Sequence, residues 1–80
     1  MVKKDGAETR RQRIAQITRM AQASLNASKN GEIFLSKFVA AAMYETGLTK
    51  ERIMEYLEVP EAMGQFEIDR ENDRIRKTRF

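Results

Sequence analysis

The sequence contains no cysteine and no histidine. Without a thiol or an imidazole, the chain cannot build a zinc finger, a Cys or His nucleophile, a haem attachment site or a disulfide framework. It also has one proline and four glycines, while 41% of its residues are hydrophobic. This composition is typical of a folded chain and argues against intrinsic disorder.

Long hydrophobic runs are also missing. The apolar stretch 38–43 is bounded by Lys37 and Glu45, whereas a membrane span needs roughly 18 consecutive apolar residues. Residues 8–13 carry charges where a signal peptide would have its apolar core. These observations predict a cytoplasmic protein without a spanning helix.

The chain is short, with 80 residues, and a domain of this size buries only about 60% of the surface that its unfolded form exposes. Such a small core leaves little room for an enclosed substrate pocket, so we expect no catalytic residues, no cofactor and no enzymatic activity. Glu51, Glu55 and Glu58 have no histidine or loop ligand beside them, which argues against a metal site. The 15 basic and 12 acidic residues leave a formal charge of +3.

The chain divides into a tail and one domain. Residues 1–7 lack apolar periodicity and carry two lysines, which predicts a flexible basic tail before a single domain over 8–80. From Glu8 to about Asn26 the apolar residues recur at steps of three and four. This spacing predicts a helix with one core-facing stripe, made of Ile14, Ile17, Ala21 and Leu25.

Two further helices are expected around a tight turn. Ser36 is a candidate N-cap for a helix over 37–46, whose nearly continuous apolar residues predict a place at the centre of the core. Tyr44 stands at core-like spacing in this helix and is expected to pack there as well. Gly47 favours a left-handed stop, and Thr49 is positioned to cap the next helix through its hydroxyl.

The third helix is expected to face the core through Ile53, Tyr56 and Leu57, which stand at steps of three and four. Pro60 lacks an N–H and clashes with the preceding turn, which predicts that this helix breaks or restarts there, with 61–64 as a further turn that has Pro60 at its first position. Residues 32–34 are too few for periodicity to decide between a strand and a helical turn, so both readings stay open.

A change of period marks the C-terminal part. Phe66 and Ile68 alternate with polar residues, and Ile75 continues the pattern after a loop over 70–73. This pattern predicts a β-hairpin with these three apolar residues on its buried face. Asn72 tolerates a positive φ and is expected to supply the turn.

The order helix, helix, tight turn, helix and hairpin resembles the winged helix-turn-helix family. Segment 35–47, from Leu-Ser-Lys-Phe to Tyr-Glu-Thr-Gly, resembles the first helix of the motif. Segment 48–57, Leu-Thr-Lys-Glu-Arg-Ile-Met-Glu-Tyr-Leu, resembles the second helix, and segment 66–76 resembles the wing. The resemblance covers 31–77, and the alternation of Glu with Lys or Arg is similar to that of small archaeal members. It implies an α+β fold with three main helices followed by a C-terminal β-hairpin wing.

In winged-helix proteins the helix after the turn usually enters the major groove, and the wing contacts the minor groove or the backbone. The resemblance therefore implies a non-enzymatic protein that binds double-stranded DNA, associates with the nucleoid and regulates transcription. The implied contacts of this helix and the wing are Thr49, Lys50, Arg52, Arg70, Arg74, Arg76 and Lys77. Cations near the N-terminus can neutralise backbone phosphates. They are Lys3, Lys4, Arg10, Arg11 and Arg13.

The charge distribution supports an alternative function. Residues 41–60 carry two basic and four acidic side chains, and exposed glutamates on the third helix would repel phosphates. The same scaffold would then be an accessory subunit that binds a larger replication or transcription enzyme. The side chains of that partner surface are Glu51, Met54, Glu55, Glu58 and Glu61. No membrane contact is expected, and the sequence leaves the oligomeric state open.

Overall fold

The computed structural model of the protein describes residues 6–78, with side chains from Glu8 onward. Its elements are α1 (Gly6–Ala27), β1 (Glu32–Phe34), α2 (Leu35–Thr46), α3 (Lys50–Ala62), β2 (Phe66–Asp69) and β3 (Arg74–Lys77). The predicted α+β class, the three helices and the C-terminal hairpin are confirmed. Strand β1 settles the reading that the sequence left open at 32–34. No helix in the described part is long and apolar enough to cross a membrane.

One apolar face from each element builds the core. The stripe predicted for α1 is buried at Ile17, Ala21 and Leu25, and Ile14 packs against its edge. Helical spacing of three and four residues therefore located this face correctly. The other buried apolar side chains are Leu35, Phe38, Val39, Ala42, Ile53, Tyr56, Leu57, Phe66 and Ile75.

The three strands form one antiparallel sheet in the order β1-β3-β2. Ile75 lies in the central strand, opposite Ile33 on one side and Ile68 on the other. Because side chains alternate along a strand, these three residues share the face that covers the helices. The buried face predicted for the hairpin is confirmed, with Phe66 1% exposed and Ile75 fully buried.

The turn between α2 and α3 follows the predicted chemistry. Gly47 has a φ of 73°, and its N–H donates to the carbonyl of Met43 at 2.9 Å. A residue with a side chain is strained in this left-handed conformation, which explains the glycine. The Thr49 hydroxyl accepts a hydrogen bond from the backbone N–H of Arg52 at 3.2 Å, so Thr49 is the N-cap of α3.

The N-terminus of α2 differs from the prediction, because Ser36 is not its N-cap. The helix begins at Leu35, and the cap comes from the hairpin loop 37 residues away. The Asp73 carboxylate accepts from the backbone N–H of Ser36 at 2.8 Å and from its hydroxyl at 2.6 Å. The N–H of Leu35 donates to the Asp73 carbonyl at 3.0 Å. A tertiary contact therefore satisfies the first N–H groups of α2, where a local serine cap was expected.

The turn residue of the hairpin was also misassigned. The residue with positive φ is Asp73, at 56°, and not Asn72. Aspartate tolerates the left-handed conformation nearly as well as asparagine does, so local propensity does not choose between them. The Asp73 side chain is bound at the start of α2, and this contact favours the left-handed conformation one residue later than expected.

The predicted break at Pro60 is wrong, because α3 continues through it to Ala62. Pro60 lies in the last turn, so its missing N–H removes only the hydrogen bond to the Tyr56 carbonyl. The ring is fully buried, and the backbone ladder resumes with Met63 N–H donating to the Val59 carbonyl at 3.0 Å. Burial of the ring offsets the lost hydrogen bond.

Helix α2 is not at the centre of the core. Phe38, Val39 and Ala42 are buried, but Met43 is 38% exposed and Tyr44 is 88% exposed. The expectation that Tyr44 packs inside is therefore wrong, although Tyr56, at 7% exposed, confirms it for the other tyrosine. In the described part of the chain, other elements cover α2 on one side only, so its apolar composition exceeds what the fold can bury.

Candidate nucleic-acid interface

Two arginines from different helices meet at one carboxylate on α3. The Arg10 Nη2 atom lies 3.0 Å from Glu55 Oε1, and Arg52 Nη1 lies 3.9 Å from the same oxygen. The three side chains remain about half exposed, with 53%, 54% and 44% of their surfaces accessible. One glutamate therefore neutralises part of a two-arginine group that solvent and ligands can reach.

Packing of α1 along α3 creates this meeting. Arg10 contacts Glu55 near the start of the pair, and Gln22 contacts Gln65 beyond its end, so the two helices run side by side in the same direction. The Arg10 guanidinium also lies 6.0 Å from the centroid of the Tyr56 ring. A cation at this distance over a ring gains a weak electrostatic attraction. The first turns of α1 thus extend beside the N-terminal half of α3.

Arg70, in the hairpin loop, makes a further contact with α3. Arg70 makes a two-pronged contact with the Glu61 carboxylate, both N···O distances being 3.4 Å. Arg70 and Lys50 line one surface depression of about 420 Å³, between the start of α2 and the hairpin loop. Lys50 makes no ion pair within residues 8–78. We call Arg10, Lys50, Arg52 and Arg70 the α3 basic cluster.

The backbone at the start of α3 adds to this positive charge. Thr49 satisfies the N–H of Arg52, and no hydrogen bond in the described part satisfies the N–H groups of Lys50 and Glu51. The positive end of the helix dipole therefore lies at the start of α3, where two members of the α3 basic cluster, Lys50 and Arg52, also stand. Thr49, predicted as a nucleic-acid contact, has its hydroxyl engaged in the cap.

Comparison of the chain with family models, with curated proteins and with solved structures returns no match.

The two arginines of β3, Arg74 and Arg76, lie together on the outer face of the sheet, as the alternation predicts. Glu32 on β1 pairs with both, at 3.3 Å to Arg74 Nε and 3.2 Å to Arg76 Nε. Arg74 also stacks over the Phe34 ring, with its guanidinium carbon 4.0 Å from the centroid. These internal partners make Arg74 and Arg76 less available to phosphate than Lys50 is.

Asp69 completes this outer ion-pair group. Its carboxylate accepts from the Asn72 side chain at 2.8 Å, from the Arg76 guanidinium at 2.7 Å and from the Asn72 backbone at 3.1 Å. These hydrogen bonds, that of the Asn72 side chain first, lower the pKa of Asp69 to about 2. Asp73 has a lowered pKa as well, chiefly because the Ser36 hydroxyl donates to it.

The Asp69 pKa predicts how stability depends on pH. A carboxylate with a lowered folded-state pKa stabilises the fold above its unfolded value near 4, and this contribution is lost between about pH 4 and pH 2. Asp69→Asn should therefore be less stable than the wild type at pH 7, and the difference should shrink as pH falls to 2. Urea unfolding at stepped pH measures both proteins. A difference that is the same at every pH would contradict the assignment.

The remaining predicted cations lie apart from the α3 basic cluster. Lys77 stands at the opposite end of the hairpin from Arg70, and its side chain runs beside Gly31. Arg13 donates to Gln16 on its own helix, at 3.2 Å. Arg11 lines a separate depression between α1 and the end of α3, and Lys3 and Lys4 lie outside the described residues. Sequence reasoning listed all these cations but could not separate them in space.

The alternative acidic surface is smaller than the sequence suggests. Glu55 and Glu61 are paired with arginines, and Met54 is partly buried against the core. Glu51 and Glu58 are exposed and make no ion pair with described residues. No group of three or more carboxylates within the described residues could hold a metal ion.

Sequence reasoning missed the role of β1 in this region. Glu32 and Phe34 alternate with the inward Ile33, so both lie on the outer face with the arginines of β3. The signal was present in the period of two over 32–34, but three residues did not distinguish a strand from a helical turn. The structure adds Glu32 as the carboxylate that holds Arg74 and Arg76 together.

Proposed function

We propose that this protein is a winged helix-turn-helix module that binds double-stranded DNA without catalysing a reaction. The order of elements supports the family: α2 and α3 flank the Gly47 turn, and a hairpin follows whose second strand pairs with β1. In such domains the helix after the turn and the adjacent wing form the DNA-facing surface. Binding of this kind would hold the protein on chromosomal DNA.

The observation that carries the proposal is the α3 basic cluster. Its four cations come from α1, α3 and the hairpin loop and form two pairs along the helix that would face DNA: Arg10 with Arg52 at Glu55, and Lys50 with Arg70 at one depression. Phosphate oxygens suit this arrangement, because arginines and free backbone N–H groups at a helix start both bind them. Contacts to phosphate determine position and affinity and carry no base information.

The glutamates of α3 oppose this function less than their number suggests. Glu55 already lies between Arg10 and Arg52, and Glu61 already pairs with Arg70, so neither presents an uncompensated charge. A phosphate reaching Arg10 and Arg52 competes with an exposed carboxylate, and exposed ion pairs of this type contribute little free energy. Only Glu51 and Glu58 remain as unpaired acids on this face of the described chain.

Binding to a labelled mixed-sequence duplex, followed by fluorescence anisotropy across a salt series, tests the proposal. We expect micromolar affinity at low salt and a linear fall of log K with log salt, with a slope of about −3.6 for four neutralised phosphates. A single-stranded control of the same length should bind more weakly. Absence of binding at low salt would overturn the proposal and favour a protein partner at Glu51 and Glu58.

A further inference from the structure

The outer face of α2 carries a tyrosine that the fold leaves uncovered. Tyr44 is 88% exposed, and Lys37, Ala40 and Ala41 lie on the same side of the helix, opposite the buried Val39 and Phe38. We call Lys37, Ala40, Ala41 and Tyr44 the α2 ridge. The two alanines leave a shallow centre between two longer side chains, so another helix could approach closely there.

An apolar depression of about 380 Å³ runs along one side of this ridge. Its lining includes Ile33, Phe34, Phe38 and Ala41, with Lys37 at its edge. Phe34 is 43% exposed, and the Lys37 ammonium lies 5.0 Å from the centre of its ring. The depression is therefore an aromatic-floored site with a cation at the rim, which suits a tyrosine ring whose hydroxyl stays near water.

We propose that the α2 ridge binds the α2 ridge of a second copy of this chain, with the two helices antiparallel. A two-fold axis between Ala40 and Ala41 leaves Tyr44 and Lys37 each about 5 Å from the axis along the helix, in opposite directions. Tyr44 of one copy then lies beside the partner's Lys37, at the mouth of the partner's aromatic depression. Each copy supplies one tyrosine and one depression, as an isologous dimer requires.

Charge complementarity favours antiparallel packing and favours a second copy of the chain as the partner. Lys37 precedes the centre of the ridge by one turn, and Glu45 follows it by little more than one turn. Antiparallel packing places Lys37 within reach of the partner's Glu45 on both sides of the axis. Parallel packing would place like charges together, which is destabilising. A second copy therefore supplies the Tyr44 ring for the depression and charges opposite to those of Lys37 and Glu45.

The small area of the α2 ridge sets the expected affinity of the dimer. Helix α2 has 12 residues and is about 18 Å long. Two such helices and their flanking side chains bury an area at or below the small end of specific interfaces, about 1,200 Å². The dimer is accordingly a reversible one with a micromolar Kd, and it does not depend on DNA.

Sedimentation velocity of the full chain over a concentration series tests the dimer. Tyr44→Ala removes two tyrosines from the symmetric dimer and should raise the dimer Kd by about 30-fold in total. The matched control is Met63→Ala, because Met63 is also a large exposed apolar residue, 68% accessible, but follows α3. Its Kd should equal that of the wild type. A wild type that stays monomeric up to about 1 mM would overturn the proposal.

A charge exchange tests the register. Lys37→Glu should weaken the dimer, because the new carboxylate faces the partner's Glu45, and adding Glu45→Lys should restore the wild-type Kd. All these side chains are exposed, so circular dichroism should report unchanged folding. A dimer unaffected by Tyr44→Ala, or a double variant without rescue, would show that another surface forms the contact and would overturn the α2 ridge assignment.

Discussion

Replacing Phe66 with alanine is expected to lower the free energy of unfolding by about 3 to 5 kcal/mol. Phe66 is 1% exposed and is among the largest fully buried side chains of the described fold, so its removal leaves a cavity at the junction of sheet and helices. A domain of about 80 residues has a total stability of roughly 4 to 12 kcal/mol. The loss is therefore about a quarter of the total stability or more, and at the lower end of this range the variant would be partly unfolded at room temperature.

The matched control is Phe34→Ala, which makes the same chemical change on the opposite face of the same sheet. Phe34 is 43% exposed and contacts Lys37 and Arg74, so its removal should cost less than about 1 kcal/mol. Urea unfolding of dilute samples followed by circular dichroism measures both variants. Equal losses would contradict the assignment of a buried face and an open face to this sheet.

Removing two members of the α3 basic cluster should have the largest effect on DNA binding. Lys50→Gln with Arg70→Gln takes two cations from one depression, and each lost phosphate contact makes the salt slope shallower by about 0.9. At about 0.1 M salt the double substitution should weaken duplex binding by about 60-fold. Both side chains are exposed, so the free energy of unfolding should change little.

The control for this pair is Lys29→Gln with Lys77→Gln, which changes the formal charge by the same amount. Lys29 is exposed in the turn after α1, and Lys77 lies at the end of the hairpin away from Arg70. The control should bind the duplex within about twofold of the wild type, with an unchanged salt slope. Equal weakening of both double variants would mean that net charge alone drives binding, and the α3 basic cluster would lose its role.

The elements of this fold were largely predictable because their signals are local. Spacing of apolar residues located α1 and the hairpin, and Gly47 and Thr49 marked the turn between α2 and α3 by their own conformational preferences. The failures have a different origin. Asp73 replaced Ser36 as the cap of α2 through a contact between residues 37 positions apart, which no local rule describes.

Exposure was harder to predict than helicity. Tyr44 has the spacing of a core residue, but whether a second apolar face is buried depends on how many elements surround the helix. Pro60 shows the same dependence, since burial of its ring against neighbouring elements offsets a hydrogen bond that an isolated helix would lose. Tertiary packing therefore determined both the exposure of Tyr44 and the continuation of the helix through Pro60, against the predictions from their local patterns.

The candidate site could be predicted in its composition and not in its arrangement. Arg10, Arg52 and Arg70 were all identified as basic contacts from residue type and element order. The placing of Glu55 between Arg10 and Arg52 follows from the packing of α1 beside α3, and the contact of Arg70 with Glu61 follows from the position of the hairpin loop. Sequence spacing contains no such information, because Arg10 and Glu55 are 45 residues apart.

The sheet order β1-β3-β2 has a consequence for synthesis on the ribosome. The central strand is the last of the three to be made, so β1 and β2 have no hydrogen-bonding partner until 74–77 emerge. Ile75 and the Asp73 cap of α2 arrive with the same segment. A nascent chain halted before that point would expose strand edges and the apolar side chains of Ile33 and Phe66, which are features that promote aggregation. Completion of the fold is thereby coupled to completion of β3, and a truncated product would be a natural substrate for chaperones and proteases.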